Sequence, residues 1–411
     1  MAEFFRVITA DQFIGLLGRF PRLAAERVPL DASLGRILAA DMASPEDLPQ
    51  GARSTVDGYA VRAEDTFGAS DAIPALLEVA ASVPMGVLPD FAIQSGQAAQ
   101  ISTGGFLPRG ADAVVMVEYT NAAGSRSVEV TRPVTVKANV LERGEDARAG
   151  ELLLAAGRTL RPQELGFLAA LGVCAVEVGR RPRVSVISSG DEVVPMDREP
   201  SPGQIRDANS HSIAAMVRAC GAEPVPFGIV PDSADRLRDA LADALSQADV
   251  VAVSGGSSIG TRDLIVDTVT SLPATEILAH GVSIRPGKPT LLAMRQGKAI
   301  FGLPGHPVSA LIVAEVFLAP FLQYLQGASL EKGPLGPQVR AVLATSVPST
   351  IGLEEFVRVR LEQTEEGVKA ARPVFGKSGM LSTMVTADGV LRIPMNSEGF
   401  SKGEMVPVTL I

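Results

Sequence analysis

The chain has 411 residues, 46% of them hydrophobic and 20% charged, with Gly 40 and Pro 29. At ~100–200 residues per domain this describes a turn-rich globular protein of about three domains and excludes disorder or low complexity. A formal net charge of −9 excludes a non-specific nucleic-acid binder, whose affinity comes from clustered Lys and Arg neutralising phosphates.

Thr9 and Gln12 have capping-box spacing, and Phe13, Leu16, Leu17 and Phe20 follow at helical intervals, predicting an amphipathic helix near residues 10–19. From Ser44 to Asn139 the runs shorten and are punctuated by Gly, Pro and Asp. AIPALLEVAA, QAAQIS and ADAVVMVEYT read as strands of a small β-rich domain. Pro162 then stands at a first-turn position with Leu165, Leu168 and Leu171 behind it and Gly172 placed to stop the helix, before a strand VCAVEV. From Arg183 to about Gly327 apolar strands (RVSVIS, VVAVSG, AIFGLP) alternate with amphipathic helices, as in a parallel α/β sheet. Helix caps are expected from Asn209 or Ser210 and from Asp232 or Ser233. Beyond Gly327, FVRVRL alternates strictly, and GMLSTM, GVLRIP and VPVTLI are further short runs of a separate small β domain.

Cys174 and Cys220 lie in apolar periodic segments and read as small buried hydrophobes of a reducing compartment. With only His211, His280 and His306 to join them, and neither CxxC nor HExxH, a zinc site is disfavoured. A metal here would be a hard cation held by carboxylates, magnesium first. The N-terminus lacks the basic-then-apolar pattern of a signal peptide, and the longest apolar stretch, Val308 to Leu322, is interrupted by Glu315. A soluble, cytoplasmic protein with no membrane partner is expected.

In a parallel α/β sheet the loops leaving the strand C-termini share one edge, where ligands bind at a switch in strand order. Three Gly-rich loops fall there: Ser188 to Glu192, containing Ser189 and Gly190; Ser254 to Asp263, containing Ser257 and Ser258; and Gly302 to Pro307, containing Pro304, Gly305 and His306. Their N–H groups and hydroxyls suit an oxyanion or phosphate. Asp191, Glu192, Asp207 and Asp263 are expected on the same edge. Each loop alone also reads as an ordinary turn, and Lys288 as either an anion-facing cation or a surface lysine. No Walker A or GxGxxG pattern exists. The β-rich region carries a second polar constellation, Asp57, Thr103, Glu118 and Asp146, in which Asp57 and Asp146 sit beside Gly where turns are common.

The strings STVDGYAV, STGGFLPRGADAVVMVE, RGED, GELLLAAG, RVSVISSGDEVV, GQIRDANS, SGGSSIGTRD, RPGKP, GLPGHPVSA and KSGMLSTM occur in an order and at distances by which the chain resembles the molybdopterin molybdenumtransferases, relatives of the C-terminal domain of gephyrin. The resemblance implies an elongated, multidomain α/β plus β subunit. Its parts are a discontinuous helical and extended domain (1–43 and 140–180), an inserted β-rich domain (44–139), a central α/β molybdopterin-binding domain (181–327) and a C-terminal β-barrel-like domain (328–411). It further implies a homodimer with sites shared between subunits. The reaction it implies is magnesium-dependent insertion of molybdate into adenylylated molybdopterin with release of AMP, the substrate coming from an adenylylating enzyme of the same pathway. Asp57, Asp146, Glu192, Asp207 and Asp263 are then the catalytic candidates, with Asp207, Asp263 and Glu192 as metal ligands. Thr103, Glu118, Ser189, Gly190, Ser257, Ser258, Arg285, Lys288, Pro304, Gly305, His306 and Pro307 are the substrate-binding candidates. Departures from the family pattern fall at Val117, Leu141, Glu142, Thr261, Arg285 and His306, and leave a tungstate-specific paralogue or a non-catalytic pterin-binding scaffold as alternatives.

Overall fold

The computed structural model describes residues 7–255, 264–330, 336–363, 367 and 369–411. The chain separates into two compact units. One comprises Met1–Ala40, Ala156–Leu165 and Ala175–Ile411, the other Asp41–Ala155 with Gly166–Cys174.

In the second unit a six-stranded sheet runs in the order Ala113–Met116, Gly58–Val61, Gln97–Ile101, Ala75–Ser82, Ser127–Val130, Thr120–Ala122. Alternate residues serve its two faces: Val61, Ala98 and Val115 enter one core, whereas Ala60, Ala99 and Val114 enter the other. Gly58 is required by close packing, because a Cβ there would meet the Val115 carbonyl oxygen at 1.9 Å.

The first unit opens with the Ala10–Leu17 helix, whose capping box joins Thr9 and Gln12 reciprocally. Its apolar face supplies Phe13 and Leu17 to the main core, with the Phe13 ring 4.3 Å from that of Phe317. The Pro162–Ala170 helix begins at proline and is followed by Gly172 at φ 71°. Both Glu164 oxygens are engaged, by Arg158 and by the backbone and side chain of Arg161, which holds the buried carboxyl far below the usual carboxylate range.

The α/β sheet of this unit is mixed rather than wholly parallel. Glu223–Val230, Arg183–Ser189, Val250–Ser254 and Lys298–Leu303 lie parallel in that spatial order, and the antiparallel strands Leu291–Arg295 and Thr275–His280 extend one side. Val250 and Ala252 face one helical layer, Val251 and Val253 the other, which explains the unbroken apolar runs. The second strand in sequence lies outside the first, so the order reverses between Arg183–Ser189 and Val250–Ser254, the switch at which a crevice opens. The 19-residue helix Pro307–Leu325 is long and apolar enough to cross a membrane by composition, but 78% of its apolar window is buried inside the fold.

The C-terminal region closes a five-strand barrel, Glu354–Gln363, Lys369–Pro373, Gln338–Leu343, Met405–Leu410 and Gly389–Ile393, the last pairing back onto the first. Two expectations are corrected here, for GMLSTM and for the cysteines. GMLSTM is no strand: its end begins the Ser382–Thr386 helix, which packs Met384 into the main core. FVRVRL lies in a strand as expected, and Phe356 and Arg358 on its outer face are both buried. Cys174 is exposed and Cys220 only partly buried; burial still pushes the Cys220 thiol up to about 11.

Candidate active site

The loops leaving the switch-point strands pack against one another. Gly255 has φ 108°, and a Cβ on it would fall 2.0 Å from the Ser189 carbonyl oxygen, so this approach demands glycine. Gly305 would likewise place its Cβ 3.4 Å from Gly255, and its carbonyl accepts Asn209 Nδ2 at 2.9 Å. Ser189 is buried and donates to Asp232 at 2.6 Å, while Asp191 accepts the Asp232 N–H at 3.2 Å. Gly190 is buried, whereas Asp191 and Glu192 are exposed. Two of the three expected loops thus meet at the switch point with the first residues of the third. Ser257, Ser258, Thr261 and Asp263 lie outside the described residues.

Asp207 has a structural task that its sequence position concealed. It is buried, and its Oδ1 accepts both the Ser188 hydroxyl at 2.9 Å and the Ser210 N–H at 3.1 Å, so Asp207, not Asn209 or Ser210, caps the Asn209–Ala219 helix. Ser233 likewise stands at the N-cap of the next helix without a side-chain cap bond. Asp207→Ala should cost about 1–3 kcal/mol, from a lost cap and an orphaned buried hydroxyl. Asp207→Asn retains an acceptor and should stay close to wild type in chemical denaturation. Equal denaturation midpoints for wild type and Asp207→Ala would refute the capping role.

Next to this edge lies a cleft of about 730 Å³. One wall is the RPGKP segment, fastened to the barrel because Ile284–Arg285 pairs with Glu354 and Glu355. Arg285 and Lys288 both line it; Arg285 donates to Glu355 at 2.9 Å, and Lys288 is exposed with no ion pair among the described residues. Arg358, on the strand that pairs with Ile284–Arg285, also lines the cleft. The residue is 9% exposed; its guanidinium donates to Thr383 Oγ1 at 2.8 Å and to the Gly376 carbonyl at 3.0 Å, and its buried Nε has no partner among the described residues. Desolvation pushes its pKa down. A buried guanidinium whose hydrogen bonds, among the described residues, go only to neutral groups is poised for an anion. Ser309 and Ser378 complete the polar lining.

His306 joins the loop edge to the cleft: its Nδ1 pairs with the Ser378 hydroxyl at 2.9 Å, and the Val308 N–H donates to the Ser378 carbonyl at 3.1 Å. Pro304 is buried, and Pro307 occupies the first turn of the helix behind the loop. Arg358, Glu355, Ser309 and Ser378 were missed by sequence reasoning. KSGMLSTM carried the signal for Ser378, but nothing local marked Arg358.

In the other unit Asp57 and Thr103 do come together, the Thr103 N–H and hydroxyl donating to Asp57 Oδ1 at 2.7 and 3.1 Å. The Asp57 carbonyl accepts the Val117 N–H at 3.0 Å, beside the exposed Glu118. Asp146 stands exposed in a separate turn, its N–H donating to the Leu48 carbonyl at 3.0 Å.

Among the described residues no three His, Cys, Asp or Glu side chains converge as a metal site. Asp207 is a poor ligand, since its Oδ1 is already engaged twice. The exposed carboxylates of Asp191 and Glu192 have the donor chemistry to share a magnesium ion with substrate phosphates, the arrangement in which protein-bound magnesium is commonest.

Three family models match in succession: "MoeA N-terminal region (domain I and II)" over residues 7–172, "Probable molybdopterin binding domain" over 185–324, and "MoeA C-terminal region (domain IV)" over 340–411. A molybdopterin biosynthesis protein of Methanocaldococcus jannaschii is 34% identical over 94% of this chain and 92% of that protein. The molybdopterin molybdenumtransferase of Bacillus subtilis is 33% identical over 94% and 90%, and that of a Nostoc species 40% over 77% and 73%. The crystal structure of a molybdopterin biosynthesis moeA protein from Pyrococcus horikoshii superposes with a TM-score of 0.85 at 32% identity, covering 99% of this chain and 100% of the other.

Proposed function

This chain belongs to the molybdopterin molybdenumtransferase family and is therefore an enzyme of molybdenum cofactor biosynthesis; from that premise we propose that it inserts molybdate into adenylylated molybdopterin with magnesium-dependent release of AMP. The observation that carries this reading is the buried Arg358 guanidinium, which has no ion-pair partner among the described residues and lines a cleft it shares with Lys288. Molybdate is a tetrahedral dianion, and a cleft with two cations that have no ion-pair partner among the described residues, together with serine hydroxyls, supplies what it loses on leaving water. Arg285 contributes less charge, because Glu355 already neutralises it. His306 holds Ser378 and so orients one hydroxyl of the cleft.

Magnesium, held by Glu192 or Asp191 together with the substrate phosphates, would neutralise charge as the pyrophosphate bond breaks. Ser189, Gly190 and Gly305 hold the loop backbone beside those carboxylates. The metal being inserted ends on the dithiolene sulfurs of the substrate, so no protein thiol or imidazole is needed to carry it. The enzyme acts in the cytoplasm as a homodimer and receives its substrate from an adenylylating enzyme.

The deciding experiment incubates the protein with adenylylated molybdopterin, magnesium and either molybdate or tungstate, and follows AMP. Molybdate-dependent AMP release that chelation of magnesium abolishes is expected. Release with tungstate alone would make this a tungsten-specific paralogue, and pterin binding without release a scaffold.

The Asp57–Thr103 pair and the Arg358 cleft lie in different compact units, and the dimer is taken to supply them to one site from different subunits. Co-expressing Asp57→Ala and Arg358→Met subunits should then restore AMP release in mixed dimers, up to about a quarter of wild type for random pairing with one intact site per heterodimer. Activity no higher than in either parent would place both groups on the same subunit.

A further inference from the structure

The cleft is several times larger than a tetrahedral oxyanion needs and falls within the range of roughly 300–1,000 Å³ typical of pockets for organic ligands. Its lining is chemically divided. Arg285 paired to Glu355, Lys288, Arg358, Ser309 and Ser378 provide the charged and hydroxylic part, whereas Val347, Pro348, Leu353, Val374 and Phe375 of the C-terminal region provide an apolar part. Such a pairing fits an anion with an apolar ring system beside it.

Phe375 stands out on that wall. The residue is 64% exposed, and what sets it apart from other exposed hydrophobics is that it lines the same cleft as Arg358 and Lys288. The backbone around it is not free: the Val374 N–H donates to the Arg358 carbonyl at 2.8 Å, and the Arg358 guanidinium donates to the Gly376 carbonyl at 3.0 Å. The residues on both sides of Phe375 are thus tied to the residue that anchors the oxyanion. An aromatic face is held open to solvent at a fixed place beside the anion site.

We propose that Phe375 is a specificity-determining residue on which the pterin ring system of the substrate stacks, turning the dithiolene sulfurs toward the oxyanion at Arg358. This rests on the function proposed above and names the part of the substrate that the barrel wall recognises. The choice of pterin over adenine follows from connectivity. The dithiolene carbons belong to a ring fused to the pterin, so the flat group that must lie beside the oxyanion during metal transfer is the pterin; the adenine is set apart by the phosphates.

The test measures two affinities in wild type, Phe375→Ala, Phe375→Leu and Phe375→Tyr: molybdopterin, followed by its pterin absorption and emission, and molybdate alone, followed by calorimetry. The chain has no tryptophan to overlap the pterin signal. Base–aromatic stacking lost on alanine substitution predicts about tenfold weaker molybdopterin binding in the Ala variant. The Leu variant should be similarly weakened, Tyr should restore affinity, and the hypochromic change of the stacked pterin band should appear only in wild type and Tyr. Molybdate affinity should be the same in all four. Ala or Leu variants that bind molybdopterin as wild type does, or that show the same band change, overturn the placement of the pterin while leaving the proposed reaction standing. Wild-type protein that binds molybdate but no molybdopterin overturns the proposed reaction and this placement with it.

Discussion

Arg358→Met is expected to lower molybdate-dependent AMP release by about two to three orders of magnitude, because truncating one partner of a buried, hydrogen-bonded charge contact costs roughly 2–5 kcal/mol. The same change should leave thermal stability unchanged or slightly raised. In the free protein the guanidinium is buried, its hydrogen bonds among the described residues go only to Thr383 and Gly376, and desolvation pushes its pKa down. An apolar side chain of similar length removes that penalty while forfeiting two hydrogen bonds, and such exchanges are often neutral or stabilising. Loss of function without loss of stability would mark a group kept for its ligand rather than for the fold. Arg358→Lys should recover part of the binding, since it keeps the charge but not the planar fork. If Arg358→Met melted far below wild type, the guanidinium would be a structural tie between barrel strand and loop. If the variant bound molybdate normally, the cleft would not be the oxyanion site.

Arg358 also shows where the sequence stops being informative. In FVRVRL the alternation correctly marks a strand, with Val357 and Val359 on the barrel interior, and alternation ordinarily sends the intervening polar residues to water. The cover over Arg358 comes from residues 376–383, far enough along the chain that no local period reports it. That covering segment is itself irregular and helical where short apolar runs had suggested a strand. The Glu223–Val230 strand escaped notice for a different reason: Pro224 and Pro226 argue against a central strand, and it is indeed at the edge of the sheet, where a missing N–H is tolerated. Signals that are local and chemical read through faithfully. The Thr9 capping box, Pro162 at its helix start, Gly172 behind it and the glycine-dependent meeting of the Ser189 and Gly255 loops all act within a few bonds or through a backbone shape that only one residue type permits. Asp207 is the intermediate case. A carboxylate near a ligand edge was legible, but whether its oxygens face a cation or a helix N-terminus depends on Ser188 and Ser210 arriving together.

Stability is expected to fall by about 3 kcal/mol between pH 4.5 and a little above pH 7 through Glu315 alone. This residue lies in the π-helical turn Ala314–Leu318 within the buried Pro307–Leu325 helix. Pro320 follows it and has no N–H to return to the preceding turn, which accounts for the widened winding. Burial, with no opposing cation among the described residues, pushes the Glu315 carboxyl up from 4.5 to about 7, and its charge adds to the burial that raises the neighbouring Cys220 thiol. A folded-state pKa above the unfolded one means that the native state holds the proton more tightly. The stabilisation is therefore complete below about pH 4.5, declines as pH rises, and is gone once pH passes the folded value near 7. Glu315→Gln keeps the shape and removes the titration, so it should match wild type near pH 5 and exceed it in denaturant midpoint at pH 8. The Cys220 thiol, pushed up to about 11, stays protonated in the folded protein across this range, and the remaining titrating groups shift both proteins alike, so the difference between the two profiles reports this carboxyl. Parallel profiles across that range would mean that Glu315 finds solvent or a cation in the native protein and ionises at its ordinary value.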